Sequence, residues 1–437
     1  MAQFRKDTHQ YLSDGKTIFE VVMLSDQYGN LVGPANPSGV AVDAFGRARM
    51  STPLTLFDSS HRYRDNGLWS TSNTSGTTYS FNANAGLIEL NLGTTANQEI
   101  IRETTKVFSY QPGKSLQILS TVVMSPPKPN LRQRIGYFGA NNGVYLEANG
   151  TNLAWVERSW SNGSLSETRA EQANWNIDTL LGNVPSSPSK LTLDMSKAQI
   201  VFNDIEWLGL GTVRCGFVID GRLIHCHSFH HANYITTTYM TTGSLPLRYE
   251  IKNTGTTASN STIKQVCSTV ISEGGYELRG DQRSVGTPVQ TPKNLATAGT
   301  YYPIVSLQLK SNFLDAIVIL TAISLLGINS NPCSVAWRVY RGATLTSPSW
   351  TPGDASSAVE YDTAATGLSG GQVLAQGYIG ITNQASQTID ILKEALFKFQ
   401  LQRNGLTGTP EPLTIAMSGS VNTISALASM DWEEISR

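Results

Sequence analysis

Residues Lys197–Phe229 read KAQIVFNDIEWLGLGTVRCGFVIDGRLIHCHSF, and this stretch decides the fold. Asp220-Gly221 is a hairpin signal, because a type I′ turn needs positive φ at both central residues. A two-residue loop then sets the register. Ile219 faces Arg222, Phe217 faces Ile224, Cys215 faces Cys226 and Val213 faces Ser228. That side is mainly apolar and belongs against a core. The other side pairs Val218 with Leu223, Gly216 with His225 and Arg214 with His227, a mixed set. A strand pair with one apolar and one mixed face is one layer of a twisted antiparallel sandwich.

Working outward, further strand signals recur at short spacing. Ser115–Met124 alternates around Leu116, Ile118 and Val122. Arg132–Phe138, Gly143–Glu147 and Leu153–Arg158 follow, separated by Asn142-Gly143 and Asn149-Gly150. Lys190–Asp194, Gln199–Trp207 and Leu247–Lys252 complete the series. Such spacing indicates a β-sandwich or jelly roll, with Trp155, Trp175 and Trp207 as core or rim aromatics. Composition shifts at Thr254–Ser261 and at Gly280–Thr300, marking a boundary. Beyond it the strand style resumes at Tyr302–Leu309, Ala316–Leu326, Ser334–Tyr340, Val373–Ile381, Ala395–Leu401 and Leu413–Met417, with a short helical turn at Ile389–Leu396. The expected fold is all-β, with antiparallel β-sandwich domains at 67–264 and 265–437.

Residues 1–66 read as an extended N-terminal arm. A strand at Ile18–Leu24 is followed by Tyr28-Gly29-Asn30, then by the proline-punctuated Gly33–Gly39. The apolar residues after it have no helical period, so the arm is expected to pack on something else. Phe45, Leu54, Leu56 and Phe57 are the candidate assembly contacts, docking on a neighbouring subunit.

Only 15% of the 437 residues are charged and the formal net charge is −1, without a long basic run. Generic attraction to nucleic acid or anionic lipid has no support. The opening MAQFRKDTHQYLSDGK lacks the apolar core of a secretory signal. Phe313–Ile328, the most apolar segment, contains Asp315, Thr321 and Ser324 and is too short to span a bilayer comfortably. A soluble chain made in a cytoplasm, without membrane insertion, is expected. The four cysteines have no CxxC spacing. Cys215 and Cys226 fall at a hydrogen-bonded pair in the expected register, with Cα atoms about 5.5 Å apart. Two buried thiols fit a reducing cytoplasm better than a bridge does.

The run LDMSKAQIVFNDIEWLGLGTVRCGFVIDGRLI, with RQRIGYFGANNGVYLE and NLAWVERSW before it and LPLRYEI after it, resembles a family of large structural proteins of tailed bacteriophages, marine and cyanobacterial members above all. PANPSGVAVDAFGRARMSTPLTLFDSSHRY is similar to the same family, so the resemblance covers roughly residues 30–253. It implies a virion component with a strand pattern like the concanavalin or laminin-G sandwich, and it brings no catalytic residues. A non-enzymatic tail, neck or fibre protein is expected, assembled in the host cytoplasm as a trimer or hexamer and contacting other virion proteins. The chain lacks the long amphipathic helix expected of a phage shell protein.

Candidate chemistry is sparse. His225, His227, His230 and His231 crowd into seven residues, and His225 and His227 share one strand face, so they are the candidate metal ligands. Arg214 opposite His227, Cys226 on the other face and the lack of a carboxylate in the cluster all oppose a metal. No cofactor is expected. Asp204 with Glu206, or Glu147 with Glu157, would supply the two carboxylates of a polysaccharide hydrolase, which predicts turnover lost on Glu206→Gln. Trp160, Trp350 and Tyr361 lie in Ser/Gly/Pro-rich loops and are candidate stacking surfaces for a host glycan. Filling a subunit interface is the bland alternative for these rings. Arg279-Gly280-Asp281 spells an integrin-type tripeptide without supporting context.

Overall fold

The computed structural model describes residues 51–381 and 399–436, together with the backbone of short strands at His9–Tyr11, Ile18–Glu20, Leu24–Ser25, Leu31–Val32 and Gln387–Asp390. The chain divides into two units, Met1–Thr52 and Pro53–Arg437. In the first, His9–Tyr11 pairs with Ile18–Glu20, and Leu24–Ser25 pairs with Leu31–Val32. Phe45 lies outside the described residues.

The second unit holds two antiparallel sandwiches. The first is built from β1 (Leu54–Ser60), β2 (Trp69–Asn73), β3 (Thr78–Asn82), β4 (Leu87–Leu92), β5 (Glu99–Thr104), β6 (Leu116–Val123), β7 (Leu131–Phe138) and β8 (Gly143–Asn149). It continues with β9 (Asn152–Ser159), β10 (Ser166–Glu171), β11 (Gln199–Ile205), β12 (Val213–Ile219), β13 (Arg222–Phe229), β14 (Leu247–Asn253) and β15 (Ser261–Ser272). The front sheet runs β13-β12-β11-β6-β15-β4-β3, with β1 also pairing β15; the back sheet runs β10-β9-β8-β7-β14-β5-β2. Alternation explains the layering: in β6, Leu116, Ile118, Ser120 and Val122 are buried and the residues between them are half-exposed. Ile88, Leu90, Ile118, Ile135, Tyr137, Leu146, Trp155, Phe217 and Tyr249 close the core between the sheets.

The turn at Asp220-Gly221 has φ of +50° and +72°, as a type I′ hairpin requires. The register holds from Ile219↔Arg222 to Gly216↔His225 and then shifts. Past a bulge, Cys215 pairs with His227, Arg214 with Ser228 and Val213 with Phe229, so the expected Cys215–Cys226 and Arg214–His227 pairings are corrected. The bulge has a packing cause. Cys226 and Phe229 are both buried, and only an extra residue lets an even and an odd position share the core face. Both cysteines are free and buried. Gly216 is required where the Phe202 ring crosses it, since a Cβ there would lie 2.5 Å from Phe202 Cε1 and 2.1 Å from the Ile224 carbonyl oxygen.

Two boundaries and one strand differ from expectation. β15 pairs with β6, β4 and β1, so the first sandwich ends after Ser272 and a cut at 264 would split its central strand. β1 belongs to that sandwich and not to an arm. Lys190–Asp194 is no strand; Thr192 makes a single bridge to Leu181.

The second sandwich contains β16 (Asp281–Gly286), β17 (Tyr302–Leu309), β18 (Ile317–Ile328), β19 (Cys333–Arg341), β20 (Val359–Asp362), β21 (Gln372–Ile381), β22 (Leu413–Gly419) and β23 (Ile424–Ser436). One sheet has the order β16-β23-β18 followed by Gln387–Asp390, and the other includes β20-β17-β22-β19-β21. Val305, Leu307, Val318, Leu320, Val335, Val339, Ile415, Met430 and Trp432 fill the space between them. Ile389 and Asp390, expected to begin a helical turn, end a strand instead. Among the described residues, 3-10 geometry occurs at Gln172–Asn174 and at Phe399, and there is no α-helix.

Candidate functional site

The outer face of the back sheet carries the densest chemistry. On β7 and β8, Ile135, Tyr137 and Leu146 point to the core, which sends Arg134, Gly136, Phe138, Tyr145 and Glu147 outward. Two adjacent rows cross the sheet. One holds Glu250, Arg134, Glu147, Ala154 and Glu171; the next holds Glu103, Arg248, Gly136, Tyr145, Val156 and Arg169.

Their charges alternate into a continuous ladder. Glu171 lies 3.5 Å from Arg169, whose Nη1 is 2.7 Å from Glu147 Oε1. Arg134 Nε donates to Glu147 Oε2 at 2.5 Å, and Arg134 Nη1 donates to Glu250 Oε1 at 3.3 Å. Glu250 Oε2 is 3.9 Å from Arg248, which donates to Glu103 Oε2. Glu147 and Glu250 are 0% and 4% exposed, so these pairs are screened from water. A branch leads to Glu167, which accepts from Tyr145 Oη at 2.7 Å and from Arg158 Nη2 at 2.8 Å. Burial pushes the Glu167 carboxyl up, but the Tyr145 hydroxyl and Arg158 together hold it below its usual range.

Beneath the ladder lies a second apolar cluster of Phe138, Tyr145, Ala154 and Val156. Arg134 and Arg158 each sit 5.1 Å from the Tyr145 ring centre, and Arg248 sits 5.4 Å from that of Phe138. Gly136 keeps the floor flat: a Cβ there would come within 2.6 Å of Tyr145 Cα.

The ladder continues into the second sandwich. Arg403 Nη1 is 2.8 Å from Glu103 Oε1, and its Nη2 is 3.0 Å from Asp315. The same guanidinium donates to the Thr104 carbonyl, and the Arg403 amide to that of Thr105. Gln400 Nε2 donates to the Val107 carbonyl, and Thr105 Oγ1 to Gln402 Oε1. Gly405 lets this hairpin come close, because a Cβ would lie 2.3 Å from Glu103 Oε1.

The histidines are dispersed to separate tasks. His231 is 5% exposed, stacks on Tyr239 at 3.9 Å and places Nε2 2.8 Å from Glu157 Oε2, with Nδ1 against the Gly211 carbonyl. Burial pulls its pKa down, but Glu157 outweighs burial and the net shift is upward. His227 meets Phe229 edge-on at 4.5 Å and accepts from the Asn176 amide, and burial lowers its pKa to about 4. His225 Nε2 is shared between the His227 carbonyl and Ser228 Oγ, while His230 is exposed beside Thr212. Among the described residues no group of three or more His, Cys, Asp or Glu is placed to hold a metal.

The carboxylates named from sequence are also engaged. Glu147 lies between two arginines, Glu157 faces His231, and Asp204 Oδ2 is 2.8 Å from Arg214. Asp204 is pushed up to about 6 by burial, an effect Arg214 opposes and Glu273 and Glu206 reinforce. Of the assembly candidates, Leu56 and Phe57 are 9% and 7% exposed, with Phe57 against Phe108 at 4.8 Å and Trp69 at 6.1 Å. β1 buries Leu56 and Phe57 in succession where its pairing with β15 shifts register, so both side chains are occupied within the chain. Leu54 remains 38% exposed. The aromatic candidates are not brought together. Trp160 is exposed on the first sandwich, whereas Trp350 and Tyr361 are half-buried on the second, where Tyr361 packs on the core. Arg279 pairs with Glu277 at 2.6 Å at the surface.

Sequence reading missed the ladder. Its signal was present: in a chain with few charges, Arg132, Arg134 and Glu147 sit at the outward positions of strands whose other face is apolar.

The chain matches no family model, and no curated protein matches it. Similar solved structures include the Emp47p carbohydrate recognition domain, at 13% identity and a TM-score of 0.30 over 53% of this chain and 99% of that one. The CBM2 module of the Lactobacillus casei BL23 phage J-1 evolved Dit is 7% identical, with a TM-score of 0.34 over 52% of this chain and all of that one. The Bacillus licheniformis β-glucanase is 11% identical, with a TM-score of 0.28 over 49% and 96%. Among the described residues, no helix is long and apolar enough to cross a membrane.

Proposed function

We propose that this chain is a non-enzymatic structural component of a tailed-phage virion, in the tail, neck or fibre, that assembles through its N-terminal segment as a homo-oligomer. The observation that carries the reading is the charge ladder. It runs from Glu171 at one edge of the first sandwich to Asp315 in the second, and so ties the two sandwiches into one unit. Two sandwiches held as one unit suit a building block of a larger assembly. The resemblance over residues 30–253 supports the virion setting. The test is the mass and symmetry of the purified full chain, by light scattering and negative-stain imaging. A closed trimer or hexamer that is lost on deletion of residues 1–50, with the remainder folded, is expected. A monomer at all concentrations overturns the reading.

A polysaccharide hydrolase is a second reading: the carboxyls of Asp204, near the end of β11, and Glu206, just past that end, lie two residues apart, and burial pushes Asp204 up to about 6. Reducing-sugar release from neutral and acidic polysaccharides, lost in Glu206→Gln, would establish it.

A further inference from the structure

The second sandwich presents an outer sheet face that differs from the ladder face of the first. On β19, Val335, Trp337 and Val339 are buried in the core, so Ser334, Ala336, Arg338 and Tyr340 face outward. On the neighbouring edge strand β21, Gln376, Tyr378 and Gly380 share that face, opposite Arg338, Ala336 and Ser334. Tyr378 is 80% exposed, on the edge of a sheet that has core on its other side. Arg338 sits 4.3 Å above the Tyr301 ring, donates from Nη1 to Tyr340 Oη at 3.2 Å and from Nε to Gln376 Oε1 at 3.2 Å. Tyr301 and Tyr340 meet edge to face at 6.3 Å.

Two properties of this face select a ligand chemistry. Its cation is held in place but not neutralised: among the described residues no carboxylate lies in ion-pair range of Arg338, and its Nη2 donates to none of them. Every arginine of the ladder, by contrast, has a carboxylate. Beside this cation is a smooth shelf. Ala336 and Ser418 pair side by side in the row that ends at Tyr378, and a Cβ on Gly380 would meet nothing within 4 Å. An exposed phenol ring over small side chains stacks on the C–H face of a sugar ring. A planar guanidinium with a free edge takes a carboxylate. The diagonal from Tyr378 to Arg338 spans about 7–8 Å on an antiparallel pair, the reach of a sugar unit with its acid group.

The geometry points to a binding site for an acidic saccharide, in which a uronate-type ring stacks on Tyr378 and its carboxylate is held by Arg338. The site is formed by residues of the second sandwich alone, and the proposal does not rest on the assembly reading. It is also separate from Trp160, Trp350 and Tyr361.

The test is titration of the full chain with trigalacturonate and, as a neutral control of equal length, with cellotriose, followed by calorimetry. Saturable binding of trigalacturonate is expected, with cellotriose weaker by about tenfold or more. Tyr378→Ala should weaken trigalacturonate by about tenfold or more, and Arg338→Gln should abolish the preference for it. Arg338→Lys keeps the charge without the planar fork and should fall between, and Trp160→Ala should bind as the wild type does. An absence of saturable binding, equal binding of cellotriose, or insensitivity to both substitutions overturns the proposal. Because Tyr378 is exposed and Arg338 packs only at the surface, an unchanged melting midpoint will verify that the variants are folded.

Discussion

On the back sheet of the first sandwich, Arg134 lies between Glu147 and Glu250, 7% exposed, over a buried tyrosine. On the second sandwich, Arg338 lies over a tyrosine too, yet faces solvent with no carboxylate among the described residues to meet it. Similar residue types on similar sheet faces have thus been put to opposite uses. Where acids and bases alternate from strand to strand, the face closes on itself and becomes structure. Where one base stands among tyrosines and small residues, the face stays open. The difference lies in the carboxylates: β8, β14 and β5 supply Glu147, Glu250 and Glu103, whereas the strands flanking β19 supply Gln376, Ala416 and Ser418.

The sharpest way to break the comparison is to remove a ladder carboxylate. Glu147→Leu takes from Arg134 and Arg169 their nearest carboxylate, leaving them Glu250 at 3.3 Å and Glu171 at 3.5 Å, and breaking a buried pair costs about 3–5 kcal/mol. Urea unfolding should show that loss. Replacing Arg134 and Glu147 together by Met and Leu should restore most of it, because a matched apolar pair demands no desolvated charge. If the double variant is as unstable as the single one, the pair is not the unit that stabilises this face.

A somewhat smaller effect is expected at the junction. Arg403→Ala removes the pairs to Glu103 and Asp315 but leaves Glu103 with Arg248. The expected cost is about 2–4 kcal/mol. The qualitative sign is more informative. Calorimetry should resolve two unfolding transitions where the wild type shows one, since the sandwiches have separate cores. A single transition, merely shifted, would mean that the backbone bonds at Thr104, Thr105 and Val107 suffice to couple them.

What was legible in the sequence, and what was not, follows from the range of the interactions. Strands with local alternation were readable, and Tyr302–Leu309 emerges with its expected bounds. The hairpin at Asp220-Gly221 was readable up to the bulge, because turn chemistry fixes register only until an inserted residue resets it. β1 was misassigned to an arm because its partner, β15, lies about two hundred residues away and no local signal joins Phe57 to Val270. The ladder was hidden for the same reason. Glu103, Arg248 and Arg403 are ordinary charges until the sheet order makes them neighbours. The open face was passed over because Tyr301 and Arg338 meet only through the pairing of β17, β22 and β19.

A third face sharpens the comparison from the acidic side. On the front sheet, Asp204 has Arg214 as its partner but also feels Glu206 and Glu273, and it is pushed up to about 6. The folded protein therefore holds this proton from the unfolded value of 3.8 up to about 6. The site favours folding fully below the unfolded value and loses that contribution as pH rises through about 6. Asp204→Asn removes the titration. Relative to wild type, the variant should therefore gain stability between pH 4 and pH 7, by urea midpoints at each pH. His227 works in the opposite sense: its depressed pKa costs stability as pH falls from 6.5 toward about 4, so His227→Asn should flatten that limb.

The smallest expected effect on stability completes the comparison. Arg338→Gln breaks no ion pair among the described residues and keeps a polar side chain at a surface position, so its urea midpoint should match the wild type within error. The contrast with Glu147→Leu is what matters. If both positions were merely structural, Arg338→Gln would also destabilise, by loosening Tyr301 and Tyr340. If Arg338 is held for a ligand, stability stays put while the preference for trigalacturonate over cellotriose is lost. Measuring the midpoint and the titration on one sample of Arg338→Gln separates these outcomes, because a surface cation without a carboxylate partner can be removed at little cost to the fold.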